Sequence, residues 1–155
     1  MSKLASALGS KYEQNKLSIL TRSFELGNHT FKVRVPSVGE VEEIYNYFKN
    51  PDEAVTEQIY QELIANLVID PEDKVEKTDN DTIVEGRSMR EAAKNKNIMQ
   101  YRIVRYIQML VPETGSLDDL TYADVESEFP LAIQLTLIDK INEVISPDYK
   151  DIKSK

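Results

Sequence analysis

Apolar and polar residues alternate through Arg22-Ser23-Phe24-Glu25-Leu26, and again where Phe31, Val33 and Val35 oppose Lys32 and Arg34. Successive side chains on a strand point to opposite faces, so each run reads as a strand with one buried face. Gly27 and Asn28 between the runs tolerate positive φ, which makes the pair a β-hairpin, and Pro36 ends it. A hairpin alone is marginal in water. Its apolar face has to lie on helices or pair with strands of another copy, and its open edge is a natural place for self-association.

After Pro36 the apolar spacing becomes helical. Ser37-Val38-Gly39-Glu40 has the Ser-x-x-Glu form of a capping box, and Val41, Ile44, Tyr45 and Phe48 form the buried stripe of the helix it opens. Asn50-Pro51-Asp52-Glu53 repeats the start signal, with Asn as cap, Pro at the first helical position and acids on the positive dipole end. That helix is predicted to run to about residue 69, with Val55, Ile59, Leu63 and Leu67 as its stripe and Tyr60 and Ile64 widening it. Ser88-Met89-Arg90-Glu91 opens the longest helix, which ends before Pro112 and turns Met99, Ile103, Ile107, Leu110 and Val111 inward. Tyr101 and Tyr106 flank that stripe. Gly115-Ser116 and Thr121-Tyr122-Ala123-Asp124 punctuate two short turns or helices, and a last helix spans 130–145 before Ser146-Pro147 stops it.

The last helix is broad in its apolar coverage. At about 100° per residue, Leu131, Ile133, Leu135, Leu137, Ile138, Ile141, Val144 and Ile145 span roughly 200°. One neighbour cannot cover that arc, so the helix lies between two others or keeps part of its surface for a partner. The pattern therefore predicts an α+β fold, mostly helical, with an N-terminal β-hairpin followed by four or five amphipathic helices. Residues 1–20 read as a flexible arm or a short helix. A single domain is expected over 21–147, interrupted by a mobile acidic loop at 70–87 with little to bury, and 148–155 reads as a disordered tail.

Composition narrows the function classes. The 155 residues suit one domain that buries its own core, and the absence of cysteine excludes disulfides, thiolate metal sites and thiol nucleophiles. No apolar run reaches the length of a membrane span and the N-terminus lacks a signal-peptide pattern, so a cytoplasmic protein with no membrane partner is expected. Net charge is −8, unevenly spread: residues 51–86 carry about −9 and the following 87–108 about +5. Those opposite fields offset each other across a helix pair, or the acidic stretch docks a basic partner. The surrounding acidic charge opposes phosphate binding, so no nucleic-acid partner is expected.

Candidate chemistry is sparse. Asp79-Asn80-Asp81 invites a calcium reading, but the glycine and glutamate that an EF-hand loop requires are out of register. His29, the sole histidine, falls at the hairpin turn, and the five scattered glycines form no phosphate loop. Neither a metal nor a cofactor is expected, and a non-enzymatic protein is favoured over an enzyme that gathers distant carboxylates.

The N-terminal hairpin, the Pro36-Ser37 turn into amphipathic helices and the late Leu120-Thr121-Tyr122-Ala123-Asp124-Val125 element give a layout that resembles the tail assembly chaperones of long-tailed bacteriophages. The matching stretches are 24–40 and 116–128, with helices of comparable order between them, and the long acidic loop departs from the family layout. The resemblance implies a host-cytoplasmic protein, absent from the mature virion. It would coat and solubilise the tape measure protein and help recruit tail tube subunits, often through a frameshifted longer form. No motif assigns its contacts, so the candidate partner-binding residues are physical choices: Leu131, Leu135, Ile138 and Ile145 on the last helix, with Tyr101 and Tyr106. A structural virion component or small interaction adaptor is the alternative.

Overall fold

The computed structural model describes residues 2–146. In chain order these form α1 (Lys3–Leu8), α2 (Ser10–Ile19), β1 (Thr21–Leu26), β2 (His29–Arg34), α3 (Val38–Lys49), α4 (Glu53–Ala65), β3 (Val75–Lys77), β4 (Thr82–Val84), β5 (Arg87–Ser88), α5 (Met89–Ile107), α6 (Tyr122–Glu128) and α7 (Leu131–Ile145). The class is α+β and mostly helical, with the hairpin near the N-terminus and five helices after it. The expected tail at 148–155 lies outside the described residues.

Two compact units make up the chain, instead of the one domain that the apolar pattern suggests over 21–147. Among the described residues, the first is built from 2–37 and 103–146, the second from Val38–Arg102. Helical periodicity marks which face of each helix is apolar but not which helices share a core, so the division is invisible in the pattern.

In the first unit, Gly27 and Asn28 take φ of 58° and 65°, the positive pair that a tight two-residue hairpin turn needs, and they fix Phe24 opposite Phe31 and Arg22 opposite Val33. Phe24 and Phe31 stack at 5.2 Å on the face where Val33 is fully buried, and α7 packs on both strands. The outer side of β2 is not open. Arg34 N–H donates to Met109 O at 2.8 Å and Val111 N–H to Lys32 O at 2.8 Å, so residues 109–111 act as a short third strand through the Val33–Leu110 bridge. This pairing ends α5 at Ile107, short of the predicted stop at Pro112, because Leu110 and Val111 serve the sheet and not the helix. Among the described residues, no backbone bond reaches the outer side of β1, so any strand addition falls to that edge. Residues 3–19, predicted as an arm or short helix, form α1 and α2 on either side of Gly9, with Ser2 Oγ capping Ala5 N–H at 3.0 Å.

In the second unit the buried Asn97 joins three helices. Its Oδ1 accepts from Tyr47 Oη at 2.8 Å, and its Nδ2 donates to Asp52 O at 3.1 Å and Thr56 Oγ1 at 3.0 Å. A buried amide with these partners is satisfied, so it orders the helices without an unpaired polar group. The cap of α4 is Asp52 and not Asn50: its carboxylate accepts from Ala54 N–H at 2.8 Å and Val55 N–H at 3.3 Å. Aspartate two residues later makes the same cap and adds charge at the positive end of the helix dipole. Ile59, Tyr60 and Ala93 form the local core, with Leu63, Ile64 and Met89 packed against them.

The segment expected to be a mobile loop at 70–87 is ordered in part as an antiparallel meander. Val75 faces Val84 and Lys77 faces Thr82, while Val84 faces Arg87 across a turn in which Glu85 and Gly86 both take positive φ. Acid-rich composition predicts too little apolar burial for order. The order comes instead from hydrogen bonds to the neighbouring helices.

Candidate functional site

Interaction surface, and not a cleft of reactive groups, is what the six candidate residues test. Buried Gln134, Leu137, Ile138 and Ile141 occupy one arc of α7, and Leu131 and Leu135 lie together along one rim of that arc, 48% and 43% exposed. Ile133 flanks the opposite rim. Ile138 is 4% exposed and belongs to the core, which corrects its assignment to a partner surface: only unpacking α7 could release it. Ile145 is half-buried at the helix end. Gln134 takes the place in the core that an all-apolar arc would assign elsewhere. Tyr122 Oη donates to its Oε1 at 2.9 Å and its Nε2 donates to Phe129 O at 2.8 Å, so its burial leaves nothing unsatisfied.

Tyr101 and Tyr106 are half-buried. The Tyr101 ring lies on Tyr47 at 3.7 Å and 7°, so one of its faces is spent on packing within the second unit. The apolar stripe predicted for α3 splits in two. Ile44 is buried, but Val38, Val41 and Tyr45 share another face and are exposed, Val38 by 76%. Lys49 Nζ rests 4.8 Å from the centroid of the Tyr45 ring. A three-residue apolar row in water, on a helix whose Ile44 side is packed, is a second candidate contact surface, and periodicity places Val41 and Tyr45 of it in the core.

The densest polar cluster surrounds Asp81. Its carboxylate accepts from Thr82 N–H at 2.7 Å, Arg90 N–H at 2.9 Å and the Ser88 hydroxyl, while Ser88 Oγ accepts from Glu91 N–H at 3.0 Å. Two side chains thus cap the start of α5, one of them from the strand before it. The Arg90 guanidinium reaches Asn80 O and Glu57 and lies 4.0 Å from the Tyr60 ring, whose hydroxyl meets buried Thr82 Oγ1 at 3.1 Å. Asp81 therefore works as an acceptor for backbone and hydroxyl donors, the role that closes the meander onto the start of α5, while Thr82 and Arg90 make the links to α4. Among the described residues, no group of three or more His, Cys, Asp or Glu could hold a metal ion. His29 packs edge-on against Phe31 at 4.6 Å.

Burial pushes the Asp81 carboxyl up, but the hydrogen bonds from Ser88, Arg90 and Thr82, with the Arg90 charge, together hold it below its ordinary value. Glu57 is lowered as well, by the hydrogen bond from Arg90 and then that from Gln61. Both folded-state values lie below the unfolded ones. The stability they contribute is therefore complete above the unfolded carboxylate range near pH 4 and is lost as pH falls through the lowered values. Urea midpoints should be level between about pH 5 and 7 and fall below about pH 4. A decline that sets in above pH 5 would contradict these assignments.

No helix of the described residues is long and apolar enough to cross a membrane. No family model, curated protein or solved structure matches the chain.

Proposed function

We propose that this protein is a non-enzymatic tail assembly chaperone of a long-tailed bacteriophage. In this reading it binds the tape measure protein in the host cytoplasm, keeps it soluble, helps recruit tail tube subunits and is left out of the mature virion. The layout resemblance supplies the class, and the exposed Leu131–Leu135 rim of α7 is the observation that carries it onto this chain. A partner that covers the two leucines would gain about 1 kcal/mol from each, since each is already about half covered. Single contacts of that size are weak. Many copies along one long apolar client convert them into stable coating, because each neighbour raises the effective concentration of the next.

Leu131→Asp combined with Leu135→Asp tests the surface directly. Each side chain is about half packed in the fold, so the double variant should lose about 1–2 kcal/mol of stability and remain folded. Its capacity to hold a tape measure protein in the soluble fraction should fall about thirtyfold, as the loss of about 2 kcal/mol, about 1 kcal/mol from each leucine, requires. A folded double variant that solubilises the client as well as the parent would remove α7 from the binding surface.

A further inference from the structure

Among the described residues, the sheet of the first unit has one open edge. Backbone groups alternate sides along a strand, and Val35 N–H donates to Leu20 O at 2.7 Å. With Arg22 opposite Val33 and Phe24 opposite Phe31, the backbone groups of Arg22, Phe24 and Leu26 therefore turn toward β2, and those of Thr21, Ser23 and Glu25 turn outward. On the far side of β2 the third strand at 109–111 fills the place, and its own outward N–H, that of Leu110, is spent on Ile107 O at 3.0 Å. Strand addition is blocked there and falls to β1.

The β1 edge lacks the usual guards. Proteins blunt an exposed edge with a proline or a bulge, whereas Thr21–Leu26 holds no proline and pairs with β2 without interruption. Ser23 and Glu25 are exposed, and among the described residues their outward N–H and C=O groups meet no protein partner. The Arg22 guanidinium comes within 3.5 Å of Thr21 O, which keeps a second lone pair for a strand bond.

Such an edge is complementary to itself. In an antiparallel pair about a two-fold axis at Ser23, Thr21 exchanges bonds with the partner's Glu25, and Ser23 exchanges them with the partner's Ser23. Neighbouring registers are poorer. An axis at Arg22 or at Glu25 sets like charges directly opposite each other. An axis at Phe24 sets Thr21 opposite the partner's Gly27, which the hairpin turn takes out of the strand at φ 58°. With one open edge in each sheet, the pairing closes as a two-fold dimer and does not extend into a filament.

We infer that β1 pairs with β1 of a second copy of this chain, antiparallel and centred on Ser23, to join two three-stranded sheets into one. The inference goes beyond the chaperone reading and does not depend on it, because it concerns the chain without a client. The paired stretch buries less than a standard interface and two chains of −8 repel each other, so the dimer forms with rising concentration and rising salt.

The test is size-exclusion chromatography with light scattering on the full chain alone, over about a hundredfold range of concentration and at about 0.5 M salt, where the repulsion is screened. The mass should climb from that of one chain toward that of two. Ser23→Pro removes an outward N–H and no bond of the hairpin, so it should keep the circular dichroism spectrum and weaken association about thirtyfold, one backbone bond being lost from each copy. Cysteine is absent from the chain, so single introduced cysteines read the register. The two Ser23 Cα atoms would lie about 5.5 Å apart and the two Glu25 Cα atoms about 14 Å apart, within and beyond the span of a disulfide. Ser23→Cys should cross-link on mild oxidation, and Glu25→Cys should not. A parent chain that keeps the mass of a monomer throughout would leave the edge to a foreign strand and overturn the inference. Equal cross-linking of the two cysteine variants would overturn it as well, as would a folded Ser23→Pro variant that associates like the parent.

Discussion

Replacing Leu137 by alanine should destabilise the first unit by about 3 kcal/mol, the largest effect expected of any single truncation on α7. Leu137 has no solvent exposure and lies on the arc with Gln134, Ile138 and Ile141 that turns α7 onto the hairpin. Truncation removes its transfer energy and leaves a cavity that the stacked Phe24–Phe31 pair and the buried Val33 on the same hairpin are poorly placed to fill. Leu135, two residues earlier, gives the contrast: at 43% exposure its truncation should cost under about 1 kcal/mol. Urea denaturation of the two variants side by side reads the difference. Equal midpoints would mean that α7 is not seated as described, and the partner surface inferred from its rim would go with it.

Asp81→Ala should cost the second unit about 2–3 kcal/mol. The carboxylate accepts from Thr82 N–H, Arg90 N–H and the Ser88 hydroxyl, and no other side chain in the cluster stands ready to replace it. Its loss should free the first turn of α5 and the meander together. Hydrogen exchange should therefore quicken at Thr82 and Arg90 while amides in the middle of α4 keep their protection. Asp81→Asn retains one carbonyl acceptor without the charge, so it should cost about half as much and flatten the stability loss below pH 4. Uniform acceleration of exchange through the whole unit would show that Asp81 is not a local clasp.

Those two residues mark what was legible in the sequence and what was not. Local signals read well: Gly27 and Asn28 set the hairpin register, Pro130 opens α7, and Ser88 caps α5 by its bond from Glu91 N–H. The broad arc of α7 was visible as more surface than one neighbour could cover. Which part stays exposed was not, because Gln134 is drawn into the core by Tyr122 and Phe129, partners that no spacing within α7 could announce. Long-range polar contacts also hid the order of the acidic segment. Asp81 binds the start of α5 and Thr82 binds Tyr60 on α4, so a stretch with little to bury is held by neighbours distant in sequence. Val41 and Tyr45 depart from the expected burial for a related reason. Periodicity located the apolar face of α3 but could not say that only the Ile44 side of it is covered.

The exposed apolar rows on α3 and α7 belong to separate units and make different predictions. If the client lies along α7 alone, Tyr45→Ser should leave solubilisation intact. Shared use of both rows would make its effect add to that of the α7 double variant, since sites with no common partner contribute independently.

The central claim is that this chain solubilises a long apolar client by coating it. Co-expression with the tape measure protein that the proposed function assigns as its client, followed by size-exclusion chromatography with light scattering, tests it most directly. The account predicts a soluble complex that contains many copies of this chain per client, and a client that precipitates when expressed alone. An insoluble client, with this chain eluting unchanged and present in purified mature particles, would contradict it and identify a structural virion component instead.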